Sequence, residues 1–222
     1  MEPSLVQYYS RRAAEYEEIW HRPDPARQAE QSALAAALQQ CLRGRRVLEV
    51  ACGTGYWTAC AAEVAEHIYA VDASPQMLEL ARAKHLPPEH VEIHQGDAYA
   101  LESIPGDFNA GLANFWFSHI PKARLQDFLR GFHRRLGPGA AVFMADNVFV
   151  PGVGGEFIAR PGVADTFKLR QLADGSTHEV LKNYYQPGQL RDILAPHSND
   201  LHIESRSCFW WVSYVVTDEA AR

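Results

Sequence analysis

Residues 45–57 read RRVLEVACGTGYW, and this stretch decides the fold. Val47, Leu48 and Val50 form the short apolar run of a strand covered on both faces. Gly53 and Gly55 permit positive φ and let a ligand approach bare backbone. Residues 58–65 (TACAAEVA) are good helix formers, and the free N–H groups at the start of such a helix face back toward that ligand. The stretch therefore has the form of a nucleotide-type binding turn.

Working outward, strands and helices alternate. Strands are expected at 47–52, 67–72, 91–95, 108–115 and 140–145, with helices at 57–66 and 122–136. Ser74 before Pro75 gives an N-cap and a first-turn proline, opening a helix that runs to Ala83. This interval argues a doubly wound α/β sheet, whose ligands bind beyond the carboxyl ends of the strands. Upstream, Leu5, Tyr8, Tyr9, Ala13, Tyr16, Ile19 and Trp20 fall at near-helical spacing and predict an amphipathic helix with an aromatic face over 5–20. Pro23 and Pro25 interrupt it, and 28–42 is a second helix. Downstream, residues 151–155 (PGVGG) make a flexible loop. Residues 157–182 mix polar and apolar positions around an Asp174-Gly175 hairpin signal. A short helix from Pro187 to Leu194 precedes two strand candidates, 201–207 and 208–216, expected as an antiparallel edge pair.

Composition narrows the function classes. With 222 residues, 47% hydrophobic and 22% charged, the chain has the make-up of an ordinary soluble globular protein, sized for one domain. A net charge of −6 gives no overall attraction to nucleic acid or anionic lipid, and Arg43, Arg45 and Arg46 read as a solvated turn. Cys41, Cys52, Cys60 and Cys208 show neither a disulfide framework nor zinc spacing, as expected of reduced thiols in a cytoplasmic protein. The opening MEPSLVQ has no basic region and no apolar core, so no signal peptide is expected. No apolar run approaches the ~18 residues of a membrane span.

The turn lacks the third glycine of a dinucleotide fingerprint, Thr58 standing in its place. Acids at other strand ends narrow the choice. Glu49 lies four residues before Gly53. Asp72 ends the second strand, where a carboxylate can accept both ribose hydroxyls. Asp97, after the third, can accept from an exocyclic amine while a backbone N–H meets a ring nitrogen.

Taken together, the E-x-x-x-G-x-G turn, AVDASPQML (70–78), HQGDAYAL (94–101) and RRLGPGAAVFMADN (134–147) resemble the class I S-adenosylmethionine-dependent methyltransferases. The resemblance covers 47–147 well and the flanks loosely. It implies a Rossmann-like, mostly parallel seven-stranded sheet with an antiparallel C-terminal edge and a small lid. One domain spans 1–222, with a helical cap (1–42), a cofactor-binding core (43–147), a lid (148–186) and C-terminal helix and strands (187–222). It implies S-adenosyl-L-methionine as cofactor and S-adenosyl-L-homocysteine as product. Gly53 and Gly55, with neighbouring Ala51 and Trp57, are expected against the methionine portion, and Glu49 fixes that loop and reaches the amino group. Asp72 is expected on the ribose, Ala73 and Met77 beside the adenine, Asp97 and Ala98 on its edge, and Asn114 at the methionine amine through its backbone.

Methyl transfer is an in-line displacement, so the enzyme mainly holds a nucleophile close and aligned. NFWFSHIP (114–121) follows the fourth strand, where reactive groups of this fold sit, and is not the Asn/Asp-Pro-Pro motif of amide and nucleobase methylation. His119 is the candidate general base or polar orienter. In small-molecule methyltransferases of this kind, such as those acting on phosphoethanolamine, a tyrosine of an amino-terminal helix pairs with that histidine. Tyr8 and Tyr16 are the candidates here, with Tyr9 and Arg12 alongside. Asp146-Asn147 resembles the metal segment of catechol-type enzymes, but no second acid follows strand four, so no metal is expected. The lid offers Phe157, Arg160, Phe167, Arg170, Lys182 and Tyr184 as a partly apolar pocket with a cation for an acidic or phenolate group. The expected activity is metal-independent methylation of a small molecule at nitrogen or oxygen by a monomer or homodimer, with no nucleic-acid or membrane partner. The alternatives are a metal-assisted O-methyltransferase, a protein methyltransferase and a non-catalytic cofactor-binding module.

Overall fold

The computed structural model describes residues 3–221; Met1 and Glu2, part of the amino-terminal stretch read above for a signal peptide, lie outside them, as does Arg222. Helix α1 (Pro3–Arg12) continues as a 3-10 segment (Ala13–Trp20) rather than the single α-helix expected over 5–20. Helix α2 (Pro25–Leu42) starts three residues earlier than expected, because Asp24 caps it by accepting from Arg27 N and Pro25 fills its first position.

The core alternates as the apolar runs require: β1 (Arg46–Val50), α3 (Tyr56–Ala62), β2 (His67–Asp72), α4 (Pro75–Arg82), β3 (Val91–Gln95), β4 (Ala110–Asn114), α5 (Leu125–Leu136) and β5 (Ala141–Asn147). Then come β6 (Glu156–Ala159), β7 (Thr166–Gln171) and β8 (Thr177–Leu181), followed by α6 (Pro187–Leu194), β9 (Ser198–Ser205) and β10 (Phe209–Val216). The main sheet has seven strands in the order β3-β2-β1-β4-β5-β10-β9. Strands β3 to β5 pair in parallel, while β10 runs antiparallel between β5 and β9. The reversal of order beside β1 places the ends of β1 and β4 at a switch point, where such sheets open a crevice.

Helices on both faces bury the sheet. Leu34, Leu38 and Leu42 of α2 close one side over Val47, Ile68 and Phe143. Phe128, Leu129 and Phe132 of α5 close the other, over Leu48, Val142 and Val212. The helix α5 can lie flat because Gly111 carries no side chain; a Cβ there would stand 2.5 Å from Phe132. Residues 156–181, mixed in character along the chain, form a second, three-stranded antiparallel sheet, β6-β7-β8, turned by Asp174-Gly175.

One buried carboxylate ties the amino-terminal arm to the end of the chain. Glu30 of α2 accepts from Ser207 N and Oγ, Cys208 N (2.9 Å) and Phe209 N (3.3 Å), bracketing the β9–β10 turn. Burial alone would raise its pKa, but these donors hold it below the ordinary carboxylate value.

Candidate active site

The turn after β1 is held open by strain and by a carboxylate. Ala51 (φ 54°) and Gly53 (φ 57°) both sit in the left-handed region, which costs a non-glycine residue about 1–2 kcal/mol. Asp72, at the end of β2, accepts from Gly53 N (2.9 Å) through one oxygen and from Ser74 N (2.8 Å) through the other. Each oxygen keeps a further lone pair for a hydroxyl donor. A Cβ on Gly53 would meet nothing within 4 Å, so bare backbone faces open space; at Gly55 it would stand 3.1 Å from Ala81 Cβ.

Above this turn lies a first cavity, bordered by Ala51, Gly53, Asp72, Met77, Asn114 and Trp116, and roofed from α1 by Leu5, Val6 and Tyr9. Both side-chain polar atoms of Asn114 are buried without a partner, as is Oε2 of Glu49 in the strand beneath. Burial pushes the Glu49 carboxyl up to about 8. Unmet polar atoms of this kind belong to a place that a polar ligand completes.

A second cavity, about 100 Å³, adjoins the first. Tyr9, Tyr16, Phe115 and His119 border both. Phe115 is itself held at φ 57°, with Trp20 and Trp57 packed on its ring. His119 Nδ1 lies 2.7 Å from Leu181 O, which can only accept, so Nδ1 carries the proton and Nε2 presents a lone pair. Tyr9 Oη donates to that lone pair at 2.7 Å. Burial, and then the charge of Lys182, push the His119 pKa down to about 3, while burial raises that of Tyr9. The pair is neutral at ordinary pH.

Beneath His119, Lys182 Nζ donates to Asp146 Oδ1 (2.7 Å) and Ser118 Oγ (2.6 Å). Asp146 also accepts from Ser118 N (3.0 Å) and Asn147 N (2.8 Å). Against the cost of burial, Lys182 holds the Asp146 carboxyl below its usual range. This bracket joins the ends of β5 and β8 to the segment that carries His119.

The sequence of residues 47–139 matches the family model of the Methyltransferase domain. The chain is 28% identical over 167 residues to the ubiquinone biosynthesis O-methyltransferase of Xanthomonas campestris pv. campestris, covering 69% of this chain and 62% of that protein. It is 29% identical over 103 residues to the demethylmenaquinone methyltransferase of Staphylococcus aureus, covering 45% and 42% respectively. The chain thus spans about three-fifths or less of the length of these curated relatives. Among solved structures, a DhpI–SAH complex superposes with a TM-score of 0.76 at 24% identity, covering 96% of both chains. A DhpI–SAM–HEP complex gives 0.75 at 23% identity, covering 96% of this chain and 99% of that one. These matches support a class I S-adenosylmethionine-dependent methyltransferase, the family model covering residues 47–139, somewhat under half of the chain.

The cofactor of this family is S-adenosyl-L-methionine. The chain offers residues that fit it, among them a glycine cradle open to a ligand, a carboxylate with spare lone pairs, and the unpartnered Asn114 and Glu49 atoms. Of the residues expected on the cofactor, Ala51, Gly53, Asp72, Met77 and Asn114 border the first cavity. Glu49, Gly55, Trp57, Ala73, Asp97 and Ala98 do not reach its wall. Asp97 accepts from Tyr99 N (3.0 Å) in the turn after β3. Of the residues expected at the reacting end, His119 and Tyr16 border both cavities, whereas Tyr8 faces the other way, with Arg170 Nη1 3.4 Å from its hydroxyl. The partner of His119 is the next residue, Tyr9. From the lid set, Arg170, Lys182 and Tyr184 line the second cavity, while Arg160 turns outward to pair with Glu179.

Arg22 and Arg27 also line the second cavity and were not singled out from the sequence. Arg27 left a signal, since it stands in the first turn of α2, where the helix dipole disfavours a cation. Among the described residues, no helix is long and apolar enough to cross a membrane.

Proposed function

We propose that this methyltransferase places the methyl group of S-adenosylmethionine on oxygen or nitrogen of a small molecule seated in the second cavity. The observation that carries this reading is the shared wall of Tyr9, Tyr16, Phe115 and His119, across which the two cavities meet. The named relatives, an O-methyltransferase of ubiquinone biosynthesis and a demethylmenaquinone methyltransferase, support a small-molecule acceptor.

S-adenosylmethionine supplies a methyl carbon on a positively charged sulfur. Asp72 accepts from the ribose hydroxyls while keeping Gly53 and Ser74 in place. Asn114 would meet the amino-acid end, Gly53 would give it bare backbone with Ala51 beside it, and Met77 would flank the base. Glu49, Gly55, Trp57, Ala73, Asp97 and Ala98 stand behind that wall and would hold the turns that carry it. At the reacting end His119 orients Tyr9 rather than removing a proton, because an imidazole held near pKa 3 is a weak base. The Tyr9 hydroxyl, its hydrogen bond donated to His119, turns its lone pairs toward the junction of the cavities, where they hold the acceptor in line. Tyr16 closes the same junction.

The test is a transfer assay with cofactor labelled in its methyl group, run across phenols, amines, thiols, N-heterocycles and small acids. Label should appear in at least one small acceptor. Label found only in protein, or in nothing despite tight cofactor binding, would remove the reading.

A further inference from the structure

The second cavity draws an unusual set of charges from a chain whose net charge is −6. Among the described residues, five cations line it, Arg12, Arg22, Arg27, Arg170 and Lys182, and no carboxylate does. Lys182 is matched by Asp146 at 2.7 Å. Among the described residues, none of the four arginines forms an ion pair. The Nε atoms of Arg27 and Arg170 are both buried with no hydrogen-bond partner.

These guanidinium groups are also held in place. Arg27 lies 4.5 Å from the Phe209 ring centroid and Arg12 5.1 Å from that of Tyr16, and Arg170 Nη1 points to the Tyr8 hydroxyl. Arg12, Arg27 and Arg170 are partly buried and Arg22 is exposed; a partly buried cation without a counter-charge, and a buried N–H without an acceptor, are each costly. A neutral phenol or amine can accept such an N–H but brings no counter-charge. An oxyanion relieves both, because guanidinium N–H groups match its geometry two at a time. A cavity of about 100 Å³ holds roughly seven to ten water-sized positions. That admits a small metabolite.

We infer that the methyl acceptor is a small acid whose phosphoryl-type or carboxyl oxyanion is held by Arg27 and Arg170, with Arg12 and Arg22 supplying further positive charge at the same cavity. The role of acceptor rests on the methyl-transfer reading above; the anion site stands on the arginines.

Isothermal titration of inorganic phosphate, acetate and ethylammonium is carried out on the full chain, alone and saturated with S-adenosylhomocysteine. Phosphate or acetate should bind and ethylammonium should not, and the stronger of the two anions tells phosphoryl from carboxyl. Arg170→Gln and Arg27→Gln should each weaken that anion tenfold or more and leave S-adenosylhomocysteine affinity within twofold. Arg27, at the start of α2, is the variant that keeps the test standing if Arg170→Gln does not fold. Anion binding that is absent, or unchanged in a folded variant, overturns the inference and leaves methyl transfer untouched. Anion binding by a chain that takes no S-adenosylhomocysteine overturns the methyl-transfer reading, and the acceptor role with it.

Discussion

The phenol of Tyr9 lies 2.7 Å from Nε2 of His119, although 110 residues separate them in the chain. Because Leu181 O fixes the histidine proton on the opposite nitrogen, the tyrosine must be the donor in this bond. Tyr9→Phe and His119→Ala should each lower turnover by tenfold or more, with S-adenosylhomocysteine affinity near wild type for His119→Ala. The double variant should cost little beyond the worse single change, since the two act as a unit. Full activity in His119→Ala would take it out of the mechanism.

The same pair sets a pH signature. With its pKa near 3, His119 stays neutral from pH 5 to 9, so the rate should show no inflection near 6.5 that Tyr9→Phe abolishes. A Tyr9-dependent inflection there would instead mark His119 as a titrating base.

Asp72 and Gly53 should be indispensable for the cofactor. Asp72→Ala removes a carboxylate and frees Gly53 N, and Gly53→Val puts a branched side chain at φ 57°. Calorimetry should show affinity for S-adenosylmethionine reduced at least a hundredfold in both. Unchanged affinity in both would sink the cofactor assignment.

Glu30 should govern acid stability. Its pKa is depressed in the folded chain, so its stabilisation is present above the unfolded value of about 4.3 and is lost as pH falls through the folded one. Glu30→Gln should cost about 2–3 kcal/mol in urea unfolding at pH 7 and flatten the loss of stability below pH 4. A variant as stable as wild type would show that the β9–β10 turn holds without it.

Lys182→Met should strand the Asp146 charge and destabilise by about 3–5 kcal/mol. Adding Asp146→Asn should recover part of that loss, because it removes the buried charge while keeping an acceptor for one of the two backbone donors, Ser118 N or Asn147 N. Chemical denaturation of the single and double variants checks both.

The sheet was readable because buried parallel strands must be apolar: 67–72 and 91–95 were predicted to the residue. The glycine turn and Asp72 were readable because their chemistry is local. The rotation of α1 was not. Tyr8 and Tyr9 are adjacent, about 100° apart on a helix, and an aromatic stripe does not say which of two neighbours faces the site. The second sheet was hidden because its strands are largely exposed and lack a clean alternation. Arg27 leaves one mark along the chain, a cation in the first turn of a helix that packing otherwise explains, but its place in the cavity follows from where α2 meets the β9–β10 turn.

That meeting point divides the two cavities between different stretches of chain. Every described residue bordering the first cavity lies between Leu5 and His119, whereas the second also takes Cys208, at the mouth of the strand that lies between β5 and β9. Glu30 ties that hairpin to α2, the helix that brings Arg27 to the second cavity, so one carboxylate fixes two of its walls at once. A change at the β9–β10 turn would therefore reshape the space beside Arg27 while leaving the wall around Gly53 and Asp72 as it is.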